Sequence, residues 1–131
     1  LSIHKSIANS ILIDDSYNSN PASMKRSIDL IASMNNYKKI CLFGAMKELA
    51  DDSSSLHSDI YEYARDKIDY FYCLGEEWNC IQDPDNTNFK VFLSHEELYE
   101  SSKNLINLDT VTLVKGSRST RMDVVADKLK N

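Results

Sequence analysis

The chain has 131 residues, 42% of them hydrophobic and 27% charged, and its formal net charge is −5. This length and apolar content predict a single globular domain over residues 1–131, and they exclude a disordered tail or a disulfide-stapled miniprotein. An acidic balance without any run of lysine or arginine argues against nucleic acid or an anionic membrane as the main partner. The sequence has neither the roughly 20 apolar residues of a membrane span nor the charged-then-apolar order of a signal peptide, so we expect a cytoplasmic protein.

Five short apolar runs predict β-strands, and segments with helical spacing separate them. The runs are, in chain order, Ile11–Ile13, Ile40–Phe43, Tyr70–Leu74, Val91–Leu93 and Val111–Val114. Their apolar residues are mostly continuous rather than alternating, which is typical of strands that are covered on both faces. Strands that alternate with helices predict an α/β fold with a parallel or mostly parallel sheet and helices on both faces.

The helical segments begin at polar residues that suit helix caps. The candidate starts are Asn20-Pro21, the run Ser53–Ser55, and the pair Ser94 and Glu97. The last segment is indicated instead by the helical spacing of Met122, Val125, Ala126 and Leu129. Asparagine followed by proline suits an N-cap with proline at the first helical position. Serine three residues before glutamate suits a reciprocal capping box.

Three cysteines are present, and none forms a Cys-x-x-Cys pair. Cys41 and Cys73 lie inside apolar runs, where a reduced thiol behaves as a small hydrophobic group. We interpret these two and Cys80 as core residues, and we predict no metal site in this domain.

The loop after the first strand, Asp14 to Met24, is dense in polar groups. Its two carboxylates could bind ribose hydroxyls or a metal ion, Tyr17 offers a flat face for a base, and Asn18 and Asn20 offer paired donors and acceptors. Aspartate and asparagine are also common in turns and helix caps for local reasons, so a purely structural role stays open.

Two further loops follow predicted strands. Lys47, after the second strand, could pair with a phosphate oxygen, and His57 lies in the helix that follows; a solvated lysine and a packed histidine are the alternative. The segment Lys115–Arg121 combines small residues, hydroxyls and arginines at a helix start. This composition favours a carboxylate or phosphate site and a simple capped helix start about equally. It lacks the order of a P-loop.

Two segments carry a family resemblance, one reading LIDDSYNSNPASM from Leu12 to Met24 and one reading LVKGSR from Leu113 to Arg118. Together, in this order, they resemble the MurF family of Mur ligases, the UDP-N-acetylmuramoyl-tripeptide:D-alanyl-D-alanine ligases of bacterial cell-wall synthesis. The similarity runs from Ile11 to Leu129 and corresponds to the carboxy-terminal domain. It implies a Rossmann-like, mostly parallel sheet of five or six strands, with the UDP-substrate domain and the central ATPase domain absent from this chain.

The resemblance also implies an activity, which is ATP-driven amide formation through an acyl-phosphate. ATP would contact the loop Asp15, Tyr17, Asn18 and Asn20, with Tyr17 and Asn18 near the adenine and Asp15 near the ribose. D-alanyl-D-alanine would face Lys115, Gly116, Ser117 and Arg118. Lys47, Glu48 and His57 would belong to a cleft loop. The remaining partner is UDP-N-acetylmuramoyl-tripeptide, Mg²⁺ would be held mainly by the central domain, and we expect the isolated domain to be inactive.

The sequence departs from the family pattern in the loop after the second strand. Ala45 and Ala50 stand where the family's GDMxELG pattern has an acidic residue and a glycine, which weakens the assignment of the cleft loop. Two alternatives remain. One is a stand-alone flavodoxin-like binding or signalling domain whose strand-end loops hold an anion or a partner; Asp14 and Asp15 would suit the metal site of a receiver domain. The other is a different Mur-type or folylpolyglutamate-type ligase.

Overall fold

The computed structural model describes residues 1–47 and 49–131, so Glu48 of the predicted cleft loop lies outside the described residues. The strands are β1 (Ser2–Lys5), β2 (Ile11–Asp15), β3 (Lys38–Gly44), β4 (Tyr70–Leu74), β5 (Phe89–Phe92) and β6 (Thr110–Lys115). They form one sheet in the order β1-β2-β6-β3-β4-β5, in which every pairing is parallel except that of β1 with β2. The predicted mostly parallel sheet is confirmed, and β1 adds a strand that no apolar run indicated.

Helices cover both faces of this sheet. They are α1 (Pro21–Ala32), α2 (Ser53–Ala64), α3 (His95–Lys103) and α4 (Met122–Leu129). One core contains Met24, Ile28 and Ile60 from α1 and α2, and a second core contains Leu98 and Val125 from α3 and α4. Successive strand residues alternate between the two cores because side chains of a strand point to opposite faces. The predicted two-sided architecture is therefore confirmed.

The helix starts agree with the sequence in part. Asn20 caps α1: its Oδ1 accepts a hydrogen bond from Ser23 N at 2.9 Å, and its own N–H donates to Ser23 Oγ at 3.1 Å. On α3, Ser94 Oγ accepts from Glu97 N, but the return bond of a capping box is not formed. The predicted serine cap of α2 is wrong. A 3₁₀ turn at Ala50–Asp52 runs into that helix, and the Ser53 N–H donates to the backbone carbonyl of Ala50 instead of to a serine side chain.

The cysteines also differ from one another. Cys41 and Cys73 are buried between the sheet and its helices, and burial raises the pKa of both thiols. Cys80 is only half-buried, because it ends a 3₁₀ turn at Glu76–Cys80 rather than lying in a strand. The core interpretation is confirmed for the first two cysteines and wrong for the third.

The fold brings the two resemblance motifs to the same place. β2 and β6 are neighbours, and their last residues, Asp15 and Lys115, are partners in the register. The carboxyl ends of parallel strands meet at one edge of a sheet, which is where α/β folds place ligands. Among the described residues, no helix is both long and apolar enough to cross a bilayer.

Candidate functional site

A buried ion pair joins the two motif loops. Lys115 Nζ lies 2.6 Å from Asp15 Oδ2 and 2.8 Å from the backbone oxygen of Asn18, and the lysine side chain is only 1% exposed. Ser27 Oγ, from α1, donates a second hydrogen bond to Asp15 Oδ2 at 2.9 Å. A buried charge must be paired and hydrogen-bonded, so these contacts fix the position of the first loop relative to the end of β6.

The preceding carboxylate does not share this site. Asp14 points to the opposite face of β2, as the alternation of side chains along a strand requires, and it pairs there with Lys130 at 3.0 Å. Within residues 1–47 and 49–131, no three His, Cys, Asp or Glu side chains lie close enough to hold a metal ion together. The hypothesis that Asp14 and Asp15 jointly bind a metal is therefore wrong, and the residues at this edge do not fit a Mg²⁺ ion.

An aromatic face and a cation stand beside the ion pair. Tyr17 is 63% exposed, and the guanidinium carbon of Arg118 lies 5.9 Å from the centroid of its ring. This separation is within the range of a cation–π contact. The contact is a second link between the two loops, and unlike the ion pair it is open to solvent.

A pocket of about 370 Å³ opens next to the ion pair. Three predicted site residues line it, namely Asp15, Asn18 and Lys115, together with Ser23, Arg26 and Ser27 of α1. The sequence did not single out Arg26 or Ser27. Nothing local marks them, because both occupy ordinary helical positions and come to the site only through the packing of α1 against β6.

Asn20 has a different place from its predicted partners. Its side-chain oxygen is engaged in the cap of α1, and the residue does not line the pocket. Its contribution to the edge is to fix where the helix starts, and thereby where Ser23 and Ser27 face the loop.

The loop after β6 is a compact turn. A 3₁₀ turn at Arg118–Thr120 begins directly after Ser117, and Thr120 Oγ1 donates to Ser117 O at 2.7 Å. A Cβ at Gly116 would come within 2.5 Å of Met122 Cγ, so only glycine allows the turn to pack so closely. Ser117 is half-buried and Arg118 is exposed, which leaves the hydroxyl and the guanidinium group on the outside of the turn.

The described residues of the cleft loop are held by internal contacts. His57 is 0% exposed: its Nε2 accepts from Met46 N at 3.0 Å and its Nδ1 donates to Ser53 O at 2.7 Å. Burial lowers the pKa of this imidazole. Lys47 pairs with Glu77 in a partly exposed salt bridge. Lys47 and His57 lie beside the end of β3, and neither contacts the Asp15–Lys115 pair directly.

Comparisons with known proteins show the family of this chain. The family model "Mur ligase, glutamate ligase domain" matches residues 2–118. The UDP-N-acetylmuramoyl-tripeptide–D-alanyl-D-alanine ligase of Buchnera aphidicola subsp. Acyrthosiphon pisum is 40% identical over 124 residues, which is 92% of this chain and 27% of that protein.

Solved structures give the same result. A crystal structure of MurF from Acinetobacter baumannii is 28% identical, with a TM-score of 0.84 over 98% of this chain and 30% of that one. The MurF ligase of Thermotoga maritima in complex with ADP has the same fold at 23% identity, with a TM-score of 0.83 over 97% of this chain and 29% of that one. The chain thus spans less than a third of the relatives that it matches. It belongs to the Mur ligase family, and within that family it corresponds to the C-terminal domain of the MurF-type ligases.

Proposed function

We propose that this chain is the domain that closes over the substrates in an ATP-dependent ligase. The ligase joins D-alanyl-D-alanine to UDP-N-acetylmuramoyl-tripeptide in peptidoglycan synthesis. The observation that carries the proposal is the buried Asp15–Lys115 pair, which joins the two motif loops at one sheet edge. The names of the relatives support the substrate class, and the ADP bound by the Thermotoga maritima protein supports the use of a nucleotide.

The first loop is the proposed nucleotide contact. Tyr17 presents an exposed ring on which an adenine could stack. Asp15 uses Oδ2 for Lys115 and Ser27, whereas its Oδ1 lies 3.8 Å from the Leu1 amino group, beyond hydrogen-bond distance. Oδ1 is therefore able to accept a hydrogen bond from a ribose hydroxyl. Asn18 exposes its side-chain amide beside the pocket, while Asn20 acts through the start of α1.

The turn after β6 is the proposed contact for the dipeptide. Arg118 offers a planar fork that matches a carboxylate. Ser117 adds a neutral hydroxyl on the same turn, 3.0 Å from that of Ser119. Gly116 keeps the turn close to the strand end. The charge of Lys115 is already compensated by Asp15, so this lysine contributes by holding both loops in place.

The chemistry of such a ligase places a limit on what this chain does alone. The carboxylate of the tripeptide takes the γ-phosphoryl group of ATP and releases ADP, and the amine of the dipeptide then attacks the acyl-phosphate, forming the amide and releasing phosphate. The described residues offer a base-stacking face and a carboxylate fork, which bind and orient the reactants and exclude water. They contain no phosphate cradle and do not fit Mg²⁺, so we expect the isolated chain to have no ligase activity.

An NMR titration of the labelled chain tests the assignment of the two loops. Adding ATP should shift the amides of residues 15–20, and adding D-alanyl-D-alanine should shift those of residues 116–118. Binding should be weak, because each ligand meets only one wall of its site. Absence of shifts in both loops at millimolar ligand, with or without the other domains of a MurF relative, would contradict the proposal.

Single substitutions sharpen the test. Arg118→Ala should weaken dipeptide binding at least tenfold, which is about 1.4 kcal/mol and modest for a charge-paired contact. It should leave the ATP affinity near that of the unchanged chain, because Lys115 still holds Asp15 and Asn18, although it removes the cation beside the Tyr17 ring. Arg65→Ala is the matched control, since Arg65 is an exposed arginine that ends α2 near the opposite edge of the sheet. Equal effects of the two substitutions, or equal loss of both ligands in Arg118→Ala, would remove Arg118 from the dipeptide site.

A further inference from the structure

His95 contacts the turn that carries Ser117 and Arg118, although it belongs to a different helix. It is the first residue of α3, and its Nε2 lies 2.7 Å from the backbone oxygen of Thr120. We propose that His95 is a positioning residue that holds this turn in the conformation that presents Ser117 and Arg118. The role of the turn in binding a dipeptide rests on the proposed function, whereas the hold on the turn does not.

The carbonyl oxygen of Thr120 accepts no backbone hydrogen bond from α4. The 3₁₀ turn ends at Thr120, Arg121 adopts a left-handed conformation at φ 52°, and α4 begins at Met122. The first backbone bond of that helix, from Val124 N, goes to the oxygen of Arg121 and not to that of Thr120. A buried carbonyl without a partner is costly, and the imidazole of His95 supplies the missing donor.

Fixing Thr120 also fixes Ser117. Thr120 donates to the Ser117 carbonyl twice, from Oγ1 at 2.7 Å and from its backbone N at 3.1 Å. On its other side, the same hydroxyl fills the space in which a Cβ of Gly44 or Gly116 would lie, 2.7 Å from each of those positions. Thr120 is thus held between the ends of β3 and β6 on one side and His95 on the other.

The contact determines which form of the imidazole is present. A carbonyl oxygen only accepts hydrogen bonds, so Nε2 of His95 must carry the proton. The position of the imidazole is fixed by the start of α3. Ser94 caps this helix by accepting from Glu97 N at 3.1 Å, and α3 packs against α4. A glutamine at this position could offer an amide N–H at a similar reach, and an alanine could not.

Amide hydrogen exchange tests the hold on the turn directly. The informative amides are those of Thr120 and Arg121, which donate to Ser117 O and Arg118 O. His95→Ala should speed their exchange at least tenfold, and His95→Gln should restore protection to within about threefold of the unchanged chain. His4→Ala is the matched control, because that histidine lies on β1 and its imidazole bonds only to Ser2 in the described part of the chain. Unchanged exchange in His95→Ala, or an equal change in His4→Ala, would overturn the proposal.

Two further readouts separate this inference from the proposed function. In the unchanged chain, the ¹⁵N spectrum of the His95 ring should show a protonated Nε2 at alkaline pH; a neutral ring protonated at Nδ1 would also overturn it. In the dipeptide titration, His95→Ala should weaken binding at least tenfold and His95→Gln should restore it. If the unchanged chain binds no dipeptide while His95→Ala still loses protection of the turn, the proposed function fails and the positioning role stands.

Discussion

The charge of Lys115 is compensated inside the protein, and this decides how the residue can act. Its side chain is 1% exposed and its ammonium group faces Asp15 Oδ2 and the Asn18 carbonyl, whereas the Asp15 side chain is 16% exposed and also accepts from Ser27. The two partners are therefore not equivalent. Loss of the carboxylate leaves a buried cation, while loss of the cation leaves a carboxylate that water and Ser27 can still solvate.

This asymmetry predicts unequal effects of substituting the two partners. Asp15→Asn should lower the free energy of unfolding by about 3–5 kcal/mol, because an uncompensated buried charge remains. Lys115→Met should lower it by less, and the double variant should be more stable than the sum of the single effects predicts. Urea unfolding of the four proteins measures this coupling. Additivity to within about 0.5 kcal/mol would mean that the pair does not hold the two loops together.

The same edge depends on where α1 begins. Asn20 and Ser23 satisfy each other's backbone N–H groups, and Pro21 at the first helical position has no N–H and so needs no acceptor. The helix then places Ser27 against Asp15. The cap thus connects a local sequence preference to the geometry of the candidate site.

Asn20→Ala should therefore destabilise the chain by about 1 kcal/mol, through loss of the acceptor for Ser23 N. Asn20→Asp keeps an acceptor oxygen and should stay close to the unchanged chain. Asn18→Ala serves as a control on the same loop, since only its backbone oxygen is engaged by Lys115. Thermal unfolding of the three variants gives the comparison. A loss in Asn18→Ala as large as that in Asn20→Ala would contradict the capping role.

At the level of elements, the sequence predicted what local patterns encode. Continuous apolar runs gave β2 to β6, and the Asn20-Pro21 pair gave the start of α1. β1 was missed because Ser2–Lys5 is short and mostly exposed, and its antiparallel pairing with β2 depends on a distant contact. The cap of α2 was misassigned because three consecutive serines suggest a cap, whereas the preceding turn made one unnecessary.

Local patterns do not encode strand order, and the candidate site depends on it. Asp15 and Lys115 are separated by 100 positions and meet only because β6 inserts between β2 and β3. The two motifs could be located from their residue types, but their direct contact could not. His95 carried no signal at all, since its partner is a backbone carbonyl rather than a side chain.

At the scale of the whole molecule, several native contacts make stability depend on pH in the same direction. Burial opposes ionisation of Asp14 and Glu77, but hydrogen bonds from Ser16 and Lys130 to the first, and from Lys47 to the second, leave both pKa values below their ordinary range. These carboxylates stabilise the fold above their unfolded pKa values of about 4, and this contribution is lost as the pH falls through their lower folded values. As the pH falls, His57 affects the stability of the fold before these carboxylates do. Its pKa is lowered from 6.5 by burial, so the unfolded chain takes up a proton first.

Stability should therefore decline in two stages as the pH falls, with the first assigned to His57. Below pH 6.5, protonation of the unfolded chain should cost up to about 1.4 kcal/mol per pH unit until the folded imidazole is also protonated. A proton on Nε2 would also remove the acceptor for Met46 N–H, so the loop after β3 should loosen in this first stage. His57→Gln keeps an acceptor oxygen but does not titrate, and should flatten the stability profile between about pH 7 and 5 while leaving the carboxylate stage in place. His4→Gln on the edge strand is the matched control and should keep the original profile. Urea unfolding across this pH range decides the assignment, because an unchanged first stage in His57→Gln would require another titrating group.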